Sequence, residues 1–274
     1  MHSNLKTFII TQNEPFYIPK LIKLLIENSK NYYQIIGYSV LAPHRKNKNY
    51  FHWFKERAKI YSTYELMIAA YLFIYTKIYS TVFKNTHYDI RRLLQKNKIN
   101  EFPTDDVNSI EFINTIRSLN LDVIISISCP QLFREAILDS AKYCINAHGT
   151  LLPRHRGVFG SWWTLFSGDK IGGSTIHTME LKLDAGAILW QKEFPIEKID
   201  TQYSIAFKTK RDMSNGLVKV LESIAENKIE KIEPKYDSSY HRAPTKDQGK
   251  KFHKKGFKVI SLKDIKHALA KEFI

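Results

Sequence analysis

Cysteine is almost absent from this chain: Cys129 and Cys144 are the only two in 274 residues. Two cysteines cannot build a disulfide-rich secreted scaffold, and they stand in no metal-ligand spacing. A reduced, buried pair on neighbouring strands or strand ends is the expectation, with no metal. Nucleotide signatures are missing too. Neither a P-loop nor a Gly-x-Gly-x-x-Gly turn occurs, which argues against ATP and NAD as cofactors. Repeats and low-complexity tracts are lacking. Met1 to Lys6 is polar, with no apolar signal run before Gln12-Asn13-Glu14-Pro15, so a cytoplasmic protein is expected. Uninterrupted hydrophobic stretches are short. The longest, Ile60 to Phe83, is broken by Glu65 and Lys77, and the uncharged part between them is too short for a bilayer span. Stable membrane insertion is therefore not expected. The stretch reads as a helix packed on a sheet, with interfacial membrane contact the lesser reading.

Acidic residues are the remaining shortage. Asp plus Glu number 27 against 42 Lys plus Arg, a net charge of +15. Such a balance suits an anionic partner, whether nucleic acid, a phosphorylated small molecule or an acidic membrane surface. A lysine-rich composition, seen beside the frequent Ile, Asn and Tyr, accounts for it equally well. Charge alone selects no substrate.

What is present reads as an α/β protein. Thr7 to Thr11 is a short apolar strand, and Pro19 sits near the first turn of an amphipathic helix through Leu21 to Ile26. Tyr33 to Leu41 is a second strand, so the three form a βαβ unit and imply a parallel sheet. The loop after the first strand lies at the carboxyl edge, where open α/β sheets bind ligands, and Gln12 and Asn13 become candidate substrate contacts. His44 to Lys59 interleaves Arg45, Lys46, Lys48, Lys55, Arg57 and Lys59 with Tyr50, Phe51, Trp53 and Phe54. That pattern could grip a nucleotide by stacking and charge, or simply be a solvated loop. Ser109 caps a helix from Ile110 to Leu119, and Asp122 to Ser128 is a buried central strand. A helix to about Ala141 is expected after Pro130-Gln131-Leu132-Phe133. Further helices are expected from Ser161 to near Gly168 and from Thr201 to Glu226, and strands at Ser174 to Met179 and Ile188 to Gln191. Trp162 and Trp163 read as core residues.

The densest chemistry lies between Asn146 and Asp184. On an extended segment, Tyr143 to His148, Asn146 and His148 point to the same face. Leu151-Leu152-Pro153 and Arg156-Gly157 are loop chemistry, and Asp184-Ala185-Gly186 is a second turn headed by a carboxylate. An amide, an imidazole and a carboxylate brought together from loops suit attack on a carbonyl. Taken singly, each has an ordinary structural use: a turn cap, a satisfied core histidine, an Asx-turn.

The ordered set Asn146-x-His148-x-x-Leu151-Leu152-Pro153-x-x-Arg156-Gly157, Gly173-x-Thr175-x-His177 and Asp184-x-Gly186 resembles the folate-dependent formyltransferases. The likeness covers about residues 121–210 well and the first forty weakly, with Thr150 where serine is usual. It implies a Rossmann-like formyltransferase fold, a mostly parallel twisted sheet flanked by helices. It also implies a catalytic domain at 1–227, a helical insertion at about 44–97, and a short basic C-terminal extension at 228–274. Within the last, Tyr240-x-x-x-Pro244-Thr245 is similar to a segment near the end of many such enzymes. The implied co-substrate is N10-formyltetrahydrofolate. Asn146, His148 and Asp184 become the catalytic residues, and His177 a structural one that holds the loop around Asp184. The implied folate contacts are Gln131, Leu132 and Phe133, through the backbone of the segment after the central strand, with Thr150, Leu151, Leu152, Met179, Leu181 and Asp184. Arg156 joins Gln12 and Asn13 as a contact for the amine substrate.

The resemblance leaves the acceptor open. An amino sugar on a nucleotide, as in bacterial lipopolysaccharide or other surface-glycan synthesis, stands first, because the residues after 227 are too few for the tRNA-type C-terminal domain. Methionyl-tRNA is second, on the charge, and glycinamide ribonucleotide third. A non-catalytic or membrane-associated glycan-assembly protein of the same fold is the alternative of another class. Homodimer formation is left open.

Overall fold

The computed structural model describes residues 4–29, 32–42, 55, 57–84 and 86–273. Its centre is a seven-stranded sheet of β1 (Leu5–Gln12), β2 (Tyr33–Leu41), β3 (Asn100–Glu101), β4 (Leu121–Ile127), β5 (Ala141–His148), β7 (Ile171–Thr178) and β8 (Ile188–Pro195), ordered β3-β2-β1-β4-β5-β7-β8. All pairings are parallel through β5, whereas β5–β7 and β7–β8 are antiparallel. The chain runs outward from β1 in one direction through β2 and β3, then returns to its other side with β4. That reversal puts a topological switch point between β1 and β4, where open α/β sheets hold ligands.

Apolar side chains leave both sheet faces, as strands buried on both sides require. On one face Ile9, Val123, Ile125 and Ile145 pack with Leu21 and Leu25 of α1 (Ile18–Glu27) and Met213 and Leu217 of the long α7 (Gln202–Ala225). Leu93 and Leu94 of α3 (Ile90–Lys96) join them. On the other, Phe8, Ile10 and Ile124 meet Phe112 and Ile116 of α4 (Ile110–Ser118) and Ile137 of the short α5 (Glu135–Leu138). Local chemistry agrees with these boundaries. Pro19 occupies the first turn of α1, where its missing N–H costs nothing, and the Glu14 carboxylate accepts from the free N–H groups of Phe16, Tyr17 and Ile18. Ser109 Oγ caps α4 at Phe112 N, and Thr201 Oγ1 caps α7 at Ser204 N.

Two expectations change. The helix after Phe133 ends at Leu138 rather than near Ala141, because Ala141 already opens β5 and pairs with Leu121. The side chain of Asn108 takes Leu132 O and Arg134 N, and that of Gln131 takes Val107 N and Asp105 O, so 131–134 is tied to the preceding turn. The apolar stretch from Ile60 folds as α2 (Thr63–Val82), but it does not pack on the sheet. Ile68 and Leu72 bury instead against Ile260, Ile265, Ala268 and Leu269. The C-terminal extension, as far as 273, packs on the rest: α8 (Lys246–Lys254) places Phe252 among Trp162 and Trp163 of α6 (Gly160–Ser167), and α9 (Leu262–Leu269) carries the Ala268 that meets α2. Much of the basic aromatic segment, 43–54 and 56, lies outside the described residues.

Candidate active site

Asn146 and His148 stand at the carboxyl end of β5, beside the antiparallel β7, and the register pairs Asn146 with His177. His177 Nδ1 lies 2.7 Å from Thr178 O, so that nitrogen carries the proton and Nε2 is left to accept. It accepts from Asn146 Nδ2 at 3.1 Å. One amide hydrogen of Asn146 is thereby committed, and the other remains for a ligand. Burial, with the neighbouring charge of His148 adding and Asp184 opposing, pushes the His177 imidazole down to about 4, so it stays neutral and keeps this acceptor role.

His148, also buried, donates from Nε2 to His155 O at 3.2 Å. Its Nδ1 then faces Asp184 Oδ1 at 3.6 Å, longer than a hydrogen bond and well inside ion-pair range. Asp184 is oriented by its other oxygen, which accepts from Gly157 N at 2.7 Å. Its backbone is left-handed, φ 48°, and two residues later only glycine fits. A Cβ on Gly186 would lie 1.8 Å from Thr178 O. The turn therefore presents the carboxylate by pressing backbone on backbone, the kind of constraint that gathers at functional sites. The three expected catalytic side chains do come together, and His177 is the fourth member: it holds Asn146, while its Nε2 is 3.8 Å from Asp184. Its expected role of fixing the Asp184 loop is replaced by fixing the amide.

The expected folate contacts divide. Met179 and Leu181 line a cleft of about 380 Å³ with Leu138, Lys142, Tyr143 and Cys144. Asp184, Leu152 and Arg156 line another of about 350 Å³ with Lys182, Lys231 and Glu233. The 178–188 segment separates the two. Phe133 contributes its side chain to the core rather than to either cleft. Thr150 and Leu151 are likewise buried for structure: Thr150 Oγ1 donates to Arg154 O, and Leu151 fills the space above Gly173, where a Cβ would come within 2.2 Å of it. Gln131 spends its side chain on the 105–107 turn, and Leu132 is exposed.

The substrate candidates do not form one cluster. Gln12 ends β1 and Asn13 follows it, with β4 and β5 between them and β7, whereas Arg156 lies beside the start of β8. Arg156 Nε is buried with no hydrogen-bond partner, a cationic group left open beside Lys182 and Lys231.

Two networks escaped the sequence. At the switch point Lys210 of α7 donates to Ser128 Oγ at 2.7 Å; burial pushes its ammonium down to about 8, with Glu14 opposing. Ser128 itself is left-handed, φ 54°. Behind His148, Asp169 Oδ2 meets His155 Nε2 at 2.8 Å and His155 Nδ1 meets His241 Nε2 at 2.9 Å, with Trp163 stacked on His241. That chain of groups holds the carbonyl that His148 uses, and β6 (Arg156–Gly157) pairs with β9 (Tyr240–His241) to close it. Only the Tyr240 segment had a visible signal. The cysteines are unpaired, and burial pushes both thiols up to about 12.

Residues 77–221 match the model of the formyl transferase family, and the chain belongs to that family. A methionyl-tRNA formyltransferase of Borreliella afzelii is 40% identical over 113 residues, 41% of this chain and 36% of that protein. A bifunctional polymyxin resistance protein, ArnA, of Wigglesworthia glossinidia brevipalpis is 34% identical over 161 residues, 58% of this chain and 25% of that protein. The chain thus spans only about a quarter to a third of these curated relatives. Among solved structures, an N-formyltransferase from Helicobacter canadensis in complex with folinic acid and dTDP-3-aminofucose superposes with a TM-score of 0.56 at 17% identity, covering 86% of this chain and 70% of that one. The likeness is one of fold.

Proposed function

We propose that this chain transfers the formyl group of N10-formyltetrahydrofolate to the primary amine of a nucleotide-linked amino sugar, acting in the cytoplasm. The convergence of Asn146, His148 and Asp184 at one sheet edge carries the reaction class. In this reading the amine nitrogen attacks the formyl carbon, forming the new C–N bond and moving the carbonyl electron pair onto oxygen. Asn146 offers that oxygen its uncommitted amide hydrogen, a contact whose loss costs about 10²–10³ in rate in comparable sites. His148 accepts the ammonium proton at Nδ1, where the Asp184 carboxylate favours the cation, and returns it to the departing nitrogen as the old C–N bond breaks. A formamide and tetrahydrofolate leave. The cleft along Met179 and Leu181 offers a flat heteroaromatic donor an apolar wall in Tyr143 and Leu138, with a mixed charged rim of Lys142, Glu135, Asp139 and Glu180.

The other cleft supports this acceptor. Arg156, Lys182 and Lys231 beside Asp184 suit a small anion such as a diphosphate, with the amine directed at the catalytic carboxylate. Residues 1–227 are then the catalytic unit, and 228–274 completes the acceptor side through Lys231 and β9. The solved structure bound to an amino-sugar nucleotide supports this choice by analogy. Methionyl-tRNA is the second reading, favoured by the net charge of +15 and by the tRNA-enzyme relative. The two separate in one experiment. The chain is incubated with N10-formyltetrahydrofolate and either a panel of amino-sugar nucleotides or charged initiator tRNA, and tetrahydrofolate release is followed. Release with a sugar nucleotide supports the first reading; turnover with tRNA alone overturns it.

A further inference from the structure

The outer side of α2 is not accounted for by the catalytic site. Tyr64, Met67, Tyr71, Ile74, Ile78 and Val82 recur at steps of three or four residues, so they form one stripe along the helix, and each is between 49% and 64% exposed. At 20 residues the stripe is about 30 Å long. Tyr75 and Tyr79 stack beside it, 5.7 Å between ring centroids. From Leu66 to Thr76 the helix carries no charge. A continuous apolar band of this size on a surface marks something that covers it. None of the described helices is long and apolar enough to cross a membrane.

Exposed lysines stand on α2 and on the two helices beside it. Lys77 and Lys84 are exposed on and just beyond α2 itself. α9, which packs along α2, exposes Lys263 and Lys266. α8 abuts the start of α2 through Gly249 against Lys59 O and through His253 Nε2 on Ile60 O, and it exposes Lys246, Lys250, Lys251 and Lys254. Tyrosines at the edge of an apolar stripe, with lysines on the same helix and on the elements packed against it, are the composition of a helix that lies in a bilayer interface. A second copy of the chain fits less well, because two such stripes would bring two like-charged surfaces together on molecules of net charge +15.

We propose that α2, with the lysines of α8 and α9 around it, is a docking surface for an anionic lipid bilayer, and that the protein binds there peripherally. The apolar stripe enters the headgroup boundary and the lysines meet lipid phosphates. This holds whichever amine the catalytic site takes.

The full chain tests it in vesicle sedimentation. It should pellet with vesicles containing phosphatidylglycerol, remain in solution with phosphatidylcholine alone, and release as salt rises. Ile74→Glu/Ile78→Glu should weaken binding at least ten-fold while circular dichroism and the melting temperature stay unchanged. Should that variant unfold, Ile74→Ser/Ile78→Ser replaces it. Neutralising Lys77, Lys263 and Lys266 to Gln should weaken binding by roughly five-fold per lysine, about a hundred-fold in all. Absence of binding to phosphatidylglycerol vesicles at low salt overturns the proposal. So does equal binding to phosphatidylcholine, or binding that the substitutions leave intact. Light scattering that shows a dimer, abolished by Ile74→Glu/Ile78→Glu, with no vesicle binding, assigns the surface to a second copy instead.

Discussion

Asp184→Asn changes one charge and almost no shape. The amide oxygen can still accept from Gly157 N, as Oδ2 does at 2.7 Å, so the turn should keep its place. What disappears is the carboxylate 3.6 Å from His148 Nδ1. Both side chains are largely buried, at 10% and 7% exposure, so solvent screens the pair weakly. Unit charges at that distance, with an effective dielectric of about 20, attract by about 4–5 kcal/mol. If His148 takes up the amine's proton in the transition state, that attraction is gained there. The variant should therefore lose about three orders of magnitude in kcat/KM for formyl transfer, mostly in kcat. Tetrahydrofolate release measured across neutral pH, with the melting temperature as a control for folding, reads the effect. Combining the substitution with His148→Ala should add little, because the two groups act as one unit. A loss below ten-fold, or one confined to the KM for the folate, would refute the proton-holding role.

Three other outcomes follow from the same geometry. His177 is neutral when folded, down to about 4, but protonates in the unfolded chain near its ordinary value of 6.5. Its stabilising contribution is thus complete above about pH 6.5 and drains away as pH falls toward 4, by about 3 kcal/mol at the limit. His177→Gln should flatten that acid limb in urea unfolding and lower kcat by loosening Asn146. Gly186→Ala should displace the Asp184 turn and cost about 10² in kcat/KM, whereas Gly168→Ala, with nothing within 4 Å of its would-be Cβ, should cost only about 1–2 kcal/mol of stability and no activity. Arg156→Ala should raise the KM for a phosphorylated acceptor about ten-fold or more and leave the KM for the folate unchanged; an equal change in both would remove Arg156 from the acceptor cleft.

The parts of this molecule legible in its sequence are those written in short-range chemistry. Alternation and apolar runs located β1, β2, β4 and β5 to within two or three residues, and Ser109, Thr201 and Pro19 announced their helices through capping and ring constraint. The spacing of Asn146 and His148 foretold a shared face because strand periodicity is local. Other features depend on partners far along the chain. α2 has the composition of a core helix, yet its partner is α9, nearly 200 residues later, and the sheet takes none of it. The helix at Glu135 ends early because Ala141 pairs with Leu121 of β4, a partner that its own segment does not name. Lys210 looks like one surface lysine among many until the fold brings Ser128 and Glu14 to it. Phe133, Thr150 and Leu151 fell within the family pattern, which does not say that their side chains are buried.

The most direct test is mass spectrometry of the acceptor after incubation with N10-formyltetrahydrofolate. An amino-sugar nucleotide should gain the mass of one carbonyl group on its amine with the native chain, and show no gain within the assay's range with Asn146→Ala or His148→Ala at unchanged stability. Full formylation by either variant would contradict the account, since the reacting carbonyl would then owe nothing to the groups gathered at the end of β5.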